Sequence, residues 1–237
     1  MNEDRAAWLR RLNHENAEQE DALSEVYDER WGEIEETHRW FVVRFLTSLP
    51  LGGRVLDAAC GTGKYFTMVL DSGRSVVGVD HSSGHLARAR EKLPDVPTEL
   101  AELQELRYQS EFDGVMCVDA LEMIPPEDYP AVLAGFRRAL LPGGRLYVTI
   151  ERVPEEQVRA GTGRARAAGL PVVEGEVVWE DDLYHFYPSM DRVRTWLAEA
   201  GFEVEDDLEG PWGPEEDYAY HHVLARAGKA DRGPPKE

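Results

Sequence analysis

Two acids and a glycine pair, set at the ends of two short apolar runs, are the residues of this chain best suited to hold a small ligand. The segment Val55-Leu56-Asp57-Ala58-Ala59-Cys60-Gly61-Thr62-Gly63-Lys64 reads as a strand running into a glycine-rich turn. Ligands of open α/β sheets bind beyond the carboxyl ends of such strands, and glycine lets the backbone approach them closely. A dinucleotide fingerprint would put a third glycine where Phe66 stands. Asp57, beside the turn, would repel a pyrophosphate and favour a ligand carrying positive charge. The next run, Ser75-Val76-Val77-Gly78-Val79-Asp80, ends in an acid 19 residues after Gly61 (80 − 61). A carboxylate there can accept hydrogen bonds from both hydroxyls of a ribose. Ser82 or Ser83 remains available to cap the helix that follows.

These residues need a scaffold, and the hydrophobic pattern supplies one. Three helices are predicted between Arg5 and about Ser48, from the helical spacing of Trp8, Leu9 and Leu12, of Leu23, Val26 and Tyr27, and of Phe41, Val42, Phe45 and Leu46. After Pro50 the pattern becomes β-branched runs separated by helical stretches, as in βαβ units with a parallel sheet. Strands are expected at 54–57, 75–80, 98–101, 112–118 and 145–150, with crossover helices at 64–71, 84–92 and 129–140. Residues 151–187 break the rhythm and read as an insertion, mobile around the Gly, Ala and Arg-rich 161–169 and strand-like over 172–179. A last helix is expected over Ser189 to Ala200, ended by Gly201, and two closing antiparallel strands near 202–204 and 220–226. The tail, 229–237, has the composition of a disordered segment.

Taken in order and spacing, the motifs Val55 to Gly63, Gly78-Val79-Asp80, Phe112-Asp113-Gly114-Val115 and Leu141-Pro142-Gly143-Gly144-Arg145-Leu146 resemble those of class I S-adenosylmethionine-dependent methyltransferases of the small-molecule type. The resemblance covers about Gly53 to Ile150. It implies a Rossmann-like methyltransferase fold in the α/β class: a seven-stranded, mostly parallel sheet with an antiparallel last strand, here preceded by a helical cap at 1–50. The core would then run over 51–228, with the 151–187 insertion over the acceptor site. The implied cofactor is S-adenosylmethionine, with S-adenosylhomocysteine as product. By position, Asp57, Ala59 and Gly61 would surround its methionine part, with Gly63 of the same turn also binding the cofactor, Asp80 would hold the ribose and His81 would pack on the adenosine. Glu102 and Leu103 would edge the adenine, although the family more often has Asp at the first of these. Val118 would contact the cofactor where the site opens toward the acceptor, and Tyr27 would lie on the helix that covers it.

The acceptor side is read from what surrounds that core. Asp119 falls where the site opens, and Trp31 and His38 on the cap, with Tyr184 and Tyr187 on the insertion, are candidates to line the acceptor pocket. His185, within Asp181-Asp182-Leu183-Tyr184-His185-Phe186-Tyr187-Pro188, is the candidate general base; the alternative is a structural histidine among aromatics that anchor the insertion. Acids 180–182 would suit a cationic acceptor or simply a solvated surface. The Gly-rich part of the insertion is a candidate lid. His221 and His222 are adjacent on a strand and point to opposite faces, so they cannot share a metal, and no metal is expected. Two other readings share the motifs: a protein that binds S-adenosylmethionine without catalysis, and a nicotinamide-dependent oxidoreductase.

Composition narrows the classes. The net charge of −20 is concentrated, with twelve acids against four bases over residues 1–36 and nine acids and no base over 199–217. Such a surface repels nucleic acid and anionic lipid. No run reaches the roughly 20 apolar residues of a membrane span, and the charged N-terminus lacks the apolar centre of a signal peptide. Two cysteines, Cys60 and Cys117, each within an apolar run, read as buried thiols of a cytoplasmic protein. The expected partner is a small-molecule methyl acceptor, and the expected assembly a monomer or homodimer.

Overall fold

The computed structural model describes residues 4–179, 183–211 and 219–228. Three helices, α1 (Arg5–Leu23), α2 (Tyr27–Trp31) and α3 (Glu36–Thr47), precede the core. Strands β1 (Arg54–Ala58), β2 (Ser75–Asp80), β3 (Thr98–Leu100), β4 (Phe112–Cys117) and β5 (Leu140–Arg152) alternate with α4 (Phe66–Asp71), α5 (Ser83–Lys92) and α6 (Tyr129–Ala139). Then come α7 (Glu155–Ala167), the short strands β6 (Glu176–Val178) and β7 (Tyr184–Phe186), α8 (Met190–Glu199), β8 (Phe202–Pro211) and β9 (Ala219–Ala227).

Seven strands form one sheet in the order β3-β2-β1-β4-β5-β9-β8. The first five are parallel, and β9 runs antiparallel between β5 and β8. Alternate residues divide between two apolar layers: Leu56, Val115 and Leu146 face α6 and α8, while Val55, Met116 and Tyr147 face α3 and α4. Strand order reverses between β1 and β4, and at that switch point the flanking loops diverge and leave a crevice. Cys60 and Cys117 are buried and unpaired with each other. Among the described residues no helix is long and apolar enough to cross a membrane.

Two local expectations are corrected. Strand β5 begins at Leu140 rather than Arg145, carrying Pro142-Gly143-Gly144 within it, with a register shift against β4 between Phe112 and Gly114. The segment read as mobile around 161–169 lies mostly in α7. Its acids Glu155 and Glu156 sit in the first turn and its Arg164 and Arg166 in the last, each where the helix dipole favours that charge. Gly161 is there for close approach: a Cβ would come within 2.5 Å of Val177 Cγ1 on β6. Thr162 Oγ1 donates to the Glu176 carbonyl at 2.7 Å, so the lid-like composition belongs to a packed helix. The expected tail, 229–237, and acids 180–182 lie outside the described residues.

The cap is tied to the insertion by one charged group. Arg5, at the start of α1, donates to both oxygens of Glu127 and both of Glu176, and to the Pro171 carbonyl. Glu176 is fully buried and accepts in addition from Tyr184 Oη at 2.6 Å and the Val173 amide at 2.6 Å. Removing the guanidinium would strand a buried carboxylate, a loss of about 3 kcal/mol for such pairs. The Arg5→Met variant is therefore expected to unfold in urea with stability lower by that amount, and adding Glu176→Gln to recover part of it. A single variant within about 0.5 kcal/mol of the parent would show that the network does not hold the cap.

Candidate active site

Strand β1 ends in a turn built from left-handed residues: Ala59 at φ +64°, Gly61 at +52° and Gly63 at +78°. For Ala59 that conformation costs about 1 kcal/mol, so the surrounding contacts must impose it. The Cys60 amide donates to the Val79 carbonyl at 2.9 Å. The Gly61 amide donates to Asp80 Oδ2 at 2.8 Å, and the Ser82 amide to Asp80 Oδ1 at 2.9 Å. Asp80 thus fixes the glycine turn against the end of β2 while each oxygen keeps a lone pair. Ser82, not Asp80, caps α5, its Oγ accepting from the His85 amide at 3.1 Å.

The cap closes over this edge through acids of its own. Asp21 of α1 accepts from Ser82 Oγ at 2.5 Å, Ser83 Oγ at 3.1 Å and the Gly84 amide at 2.9 Å. Asp28 of α2 accepts from Thr62 Oγ1 at 2.5 Å and from Lys92 Nζ at 2.7 Å. Tyr27 is thereby held over the turn, its ring edge-on to His85 at 4.7 Å and tilted against Trp31 at 5.3 Å.

Between cap, sheet edge and insertion lies a cavity of about 290 Å³. Of the residues singled out from sequence, Tyr27, Trp31, Ala59, Gly61, Asp80, His81, Glu102, Leu103, Val118, Asp119 and His185 line it. Five others do not, and each has a physical reason. Asp57 lies beneath the turn, 1% exposed, with Oδ2 buried and without a hydrogen-bond partner among the described residues. Gly63 turns toward the core, where a Cβ would come within 2.7 Å of the Phe66 ring. His38 faces the sheet from α3, its ring 4.9 Å from those of Tyr220 and His222. Tyr184 and His185 are neighbours on β7 and so point to opposite faces; Tyr184 goes inward against Trp8 and Glu176. Tyr187 stands behind His185, its hydroxyl 2.8 Å from Nδ1, where Trp179 Nε1 also donates at 3.1 Å.

Several lining residues escaped the sequence reading, among them Glu20, Lys64, His85, Glu122 and Glu151. Glu122 follows β4 and Glu151 lies near the carboxyl end of β5, the positions where open sheets place ligand contacts. Asp119, also in the left-handed region at φ +59°, takes a hydrogen bond from Tyr220 Oη and gives its amide to Thr149 Oγ1 at 2.7 Å. Glu151 Oε2 lies 3.6 Å from His185 Nδ1.

Six carboxyl groups therefore share one cavity: Glu20, Asp80, Glu102, Asp119, Glu122 and Glu151. Burial raises Glu20 to about 7. Burial, then repulsion from Asp80, raises Asp57 to about 8. Burial, then Asp119, raises Glu151 to about 8. Burial also raises Asp119 and, together with repulsion from Asp119, Glu122. This arrangement is poised to accept positive charge.

The open sheet of this strand order has its crevice at the β1/β4 switch, with a carboxylate closing β2. Residues 55–144 match the family model described as a methyltransferase domain. The chain is 28% identical to a demethylmenaquinone methyltransferase of Symbiobacterium thermophilum, over 87% of this chain and 89% of that protein. It is 30% identical to a trans-aconitate 2-methyltransferase of Variovorax paradoxus, over 65% of this chain but only 55% of that one. The fold matches the Burkholderia thailandensis 1,6-didemethyltoxoflavin-N1-methyltransferase solved with its acceptor and S-adenosylhomocysteine, with TM-score 0.68, 20% identity, and 92% and 90% of the two chains covered. It also matches a Methanosarcina mazei S-adenosylmethionine-dependent methyltransferase, with TM-score 0.70, 15% identity, and 83% and 99% covered. Residues 55–144 are thus similar to methyltransferase domains, and the chain shares the fold of solved S-adenosylmethionine-dependent methyltransferases.

The raised carboxyls set a pH dependence. They ionise near pH 4 in an unfolded chain and at about 7 (Glu20) and about 8 (Asp57, Glu151) in the folded one. The folded state holds protons the unfolded state has lost, so the stability they contribute is complete below the unfolded values and disappears as pH rises through the folded ones. Burial holds His38 down to about 3 and His222 to about 4, so both are neutral in either state at the alkaline end. The melting temperature of the ligand-free protein is expected to fall from about pH 7 to about pH 9, and Glu151→Gln to reduce the fall. A flat profile, unchanged by that substitution, would contradict the assignment.

Proposed function

We propose that the chain methylates a small molecule, holding S-adenosylmethionine on the β1 and β2 side of the cavity and the acceptor on the β4 and β5 side. The observation that carries this reading is the acid-lined crevice at the switch point, with Asp80 closing β2 beside a glycine turn. The donor brings a sulfonium and an ammonium, and the residues present fit it: carboxyls crowd the crevice, and the buried Asp57 carboxyl lies beneath the turn that edges it. When bound, the donor supplies an activated methyl group that transfers in line to the acceptor.

The chain's own residues then position and seal. In this reading Asp80 holds the ribose hydroxyls, Ala59 and Gly61 approach the methionine part, and His81, Glu102, Leu103 and Val118 enclose the adenosine. Tyr27 covers the transfer point, where alignment and exclusion of water account for most of the acceleration. Asp119, Trp31 and His185 face the acceptor; Tyr187 positions His185, while Gly63, His38 and Tyr184 serve the fold. The names of the relatives refer to demethylmenaquinone, trans-aconitate and 1,6-didemethyltoxoflavin, all small molecules, which supports the same acceptor class. The division into a cap at 1–50 and a core at 51–228, a cytoplasmic location, and a monomer or homodimer that binds no nucleic acid belong to this proposal.

Calorimetric titration provides the test. Heat of binding is expected for S-adenosylmethionine and S-adenosylhomocysteine and none for NAD, with transfer of labelled methyl to a small acceptor. Binding of NAD in place of the two sulfur nucleosides would overturn the reading.

A further inference from the structure

The acceptor half of the cavity carries more carboxyl groups than its donor needs. Asp119, Glu122 and Glu151 stand together there, in addition to Glu20, Asp80 and Glu102 on the donor side. A donor with two cationic centres and one carboxylate brings a net charge of only about +1. Lys64 also lines the cavity, and its attraction acts on Asp119. His185 lies beside Glu151.

Within this group Glu122 has an unmet requirement. It is 6% exposed, lines the cavity, and its Oε2 is buried with no hydrogen-bond partner among the described residues. A buried carboxyl oxygen left so costs about 1–3 kcal/mol, a cost that a ligand donor would remove. The walls beside it are aromatic and apolar, from Tyr65, Met123, Ile124 and Tyr220. A flat apolar body with a protruding N–H group would meet both features.

We infer that the acceptor is an amine, protonated in solution, whose ammonium is received by Glu122 and Glu151. This rests on the methyl-transfer reading above and adds the chemical class of the acceptor. Glu122 accepts an ammonium N–H at Oε2. Glu151, which releases its own proton to water as the ammonium arrives, takes one proton from nitrogen: the N–H bond breaks, an O–H bond forms on the carboxylate, and the nitrogen regains its lone pair. The nitrogen then bonds to the methyl carbon as the carbon–sulfur bond breaks, with its electron pair going to sulfur. The products are S-adenosylhomocysteine and an N-methylated ammonium, which can lose its proton to water.

The test is titration of the protein, already saturated with S-adenosylhomocysteine, with benzylamine, benzyl alcohol and benzoate, repeated on Glu122→Gln and Glu151→Gln. Benzylamine is expected to bind the parent at least about ten-fold more tightly than benzyl alcohol, with benzoate weakest. Both variants should lose that preference while their affinity for S-adenosylhomocysteine changes less than about two-fold. Equal or better binding of the alcohol or benzoate, binding of none of the three, or an amine preference that survives in both variants would overturn the inference and leave the donor reading intact. Failure of the parent to hold S-adenosylhomocysteine would instead overturn the donor reading, and this inference with it.

Discussion

The carboxylate of Asp80 accepts from two backbone amides at once, Gly61 on one loop and Ser82 on the other, and so locks the ends of β1 and β2 into a single edge. Much of the site is built outward from this contact. The Gly61 bond supports the left-handed turn at Ala59 and Gly61. The Ser82 bond sets the residue that caps α5 and that receives Asp21 from the cap. Hydrogen bonds to a charged acceptor are the strong ones, which suits a contact that must hold strained backbone in place.

A second constraint is electrostatic. Placing six carboxyls around one cavity is unfavourable in the absence of a cation, and burial turns that cost into retained protons on Glu20, Glu122 and Glu151. Function and stability therefore oppose each other at this edge, as is usual where a binding site departs from the best folding solution. The compensation lies at the periphery, in the Arg5 network with Glu127 and Glu176 and in the Asp28 contacts with Thr62 and Lys92.

The sheet was legible because buried parallel strands write themselves as β-branched runs, and because the acid that ends β2 and the glycines that follow β1 are local signals. Helix α7 was not, since its glycines and alanines read as looseness until Gly161 is seen against Val177. Tyr184 and His185 were placed together on composition although strand alternation separates them. His38 sat in an aromatic stripe that turned out to be sheet packing. Glu20, Glu122 and Glu151 were invisible for a different reason: in a chain with 46 acids no single glutamate stands out. Only the convergence of α1, the loop after β4 and the end of β5 brings these three together.

The most direct measurement of the central contact is the affinity of an Asp80→Asn variant for S-adenosylhomocysteine, with its circular dichroism matching the parent. Asparagine keeps the shape but replaces one acceptor oxygen with a donor, so it cannot serve Gly61, Ser82 and a ribose together. The expected result is binding weakened about 10- to 100-fold, the range for losing hydrogen bonds to a charged group. An unchanged affinity in a folded variant would contradict the role given to Asp80 and the site built upon it.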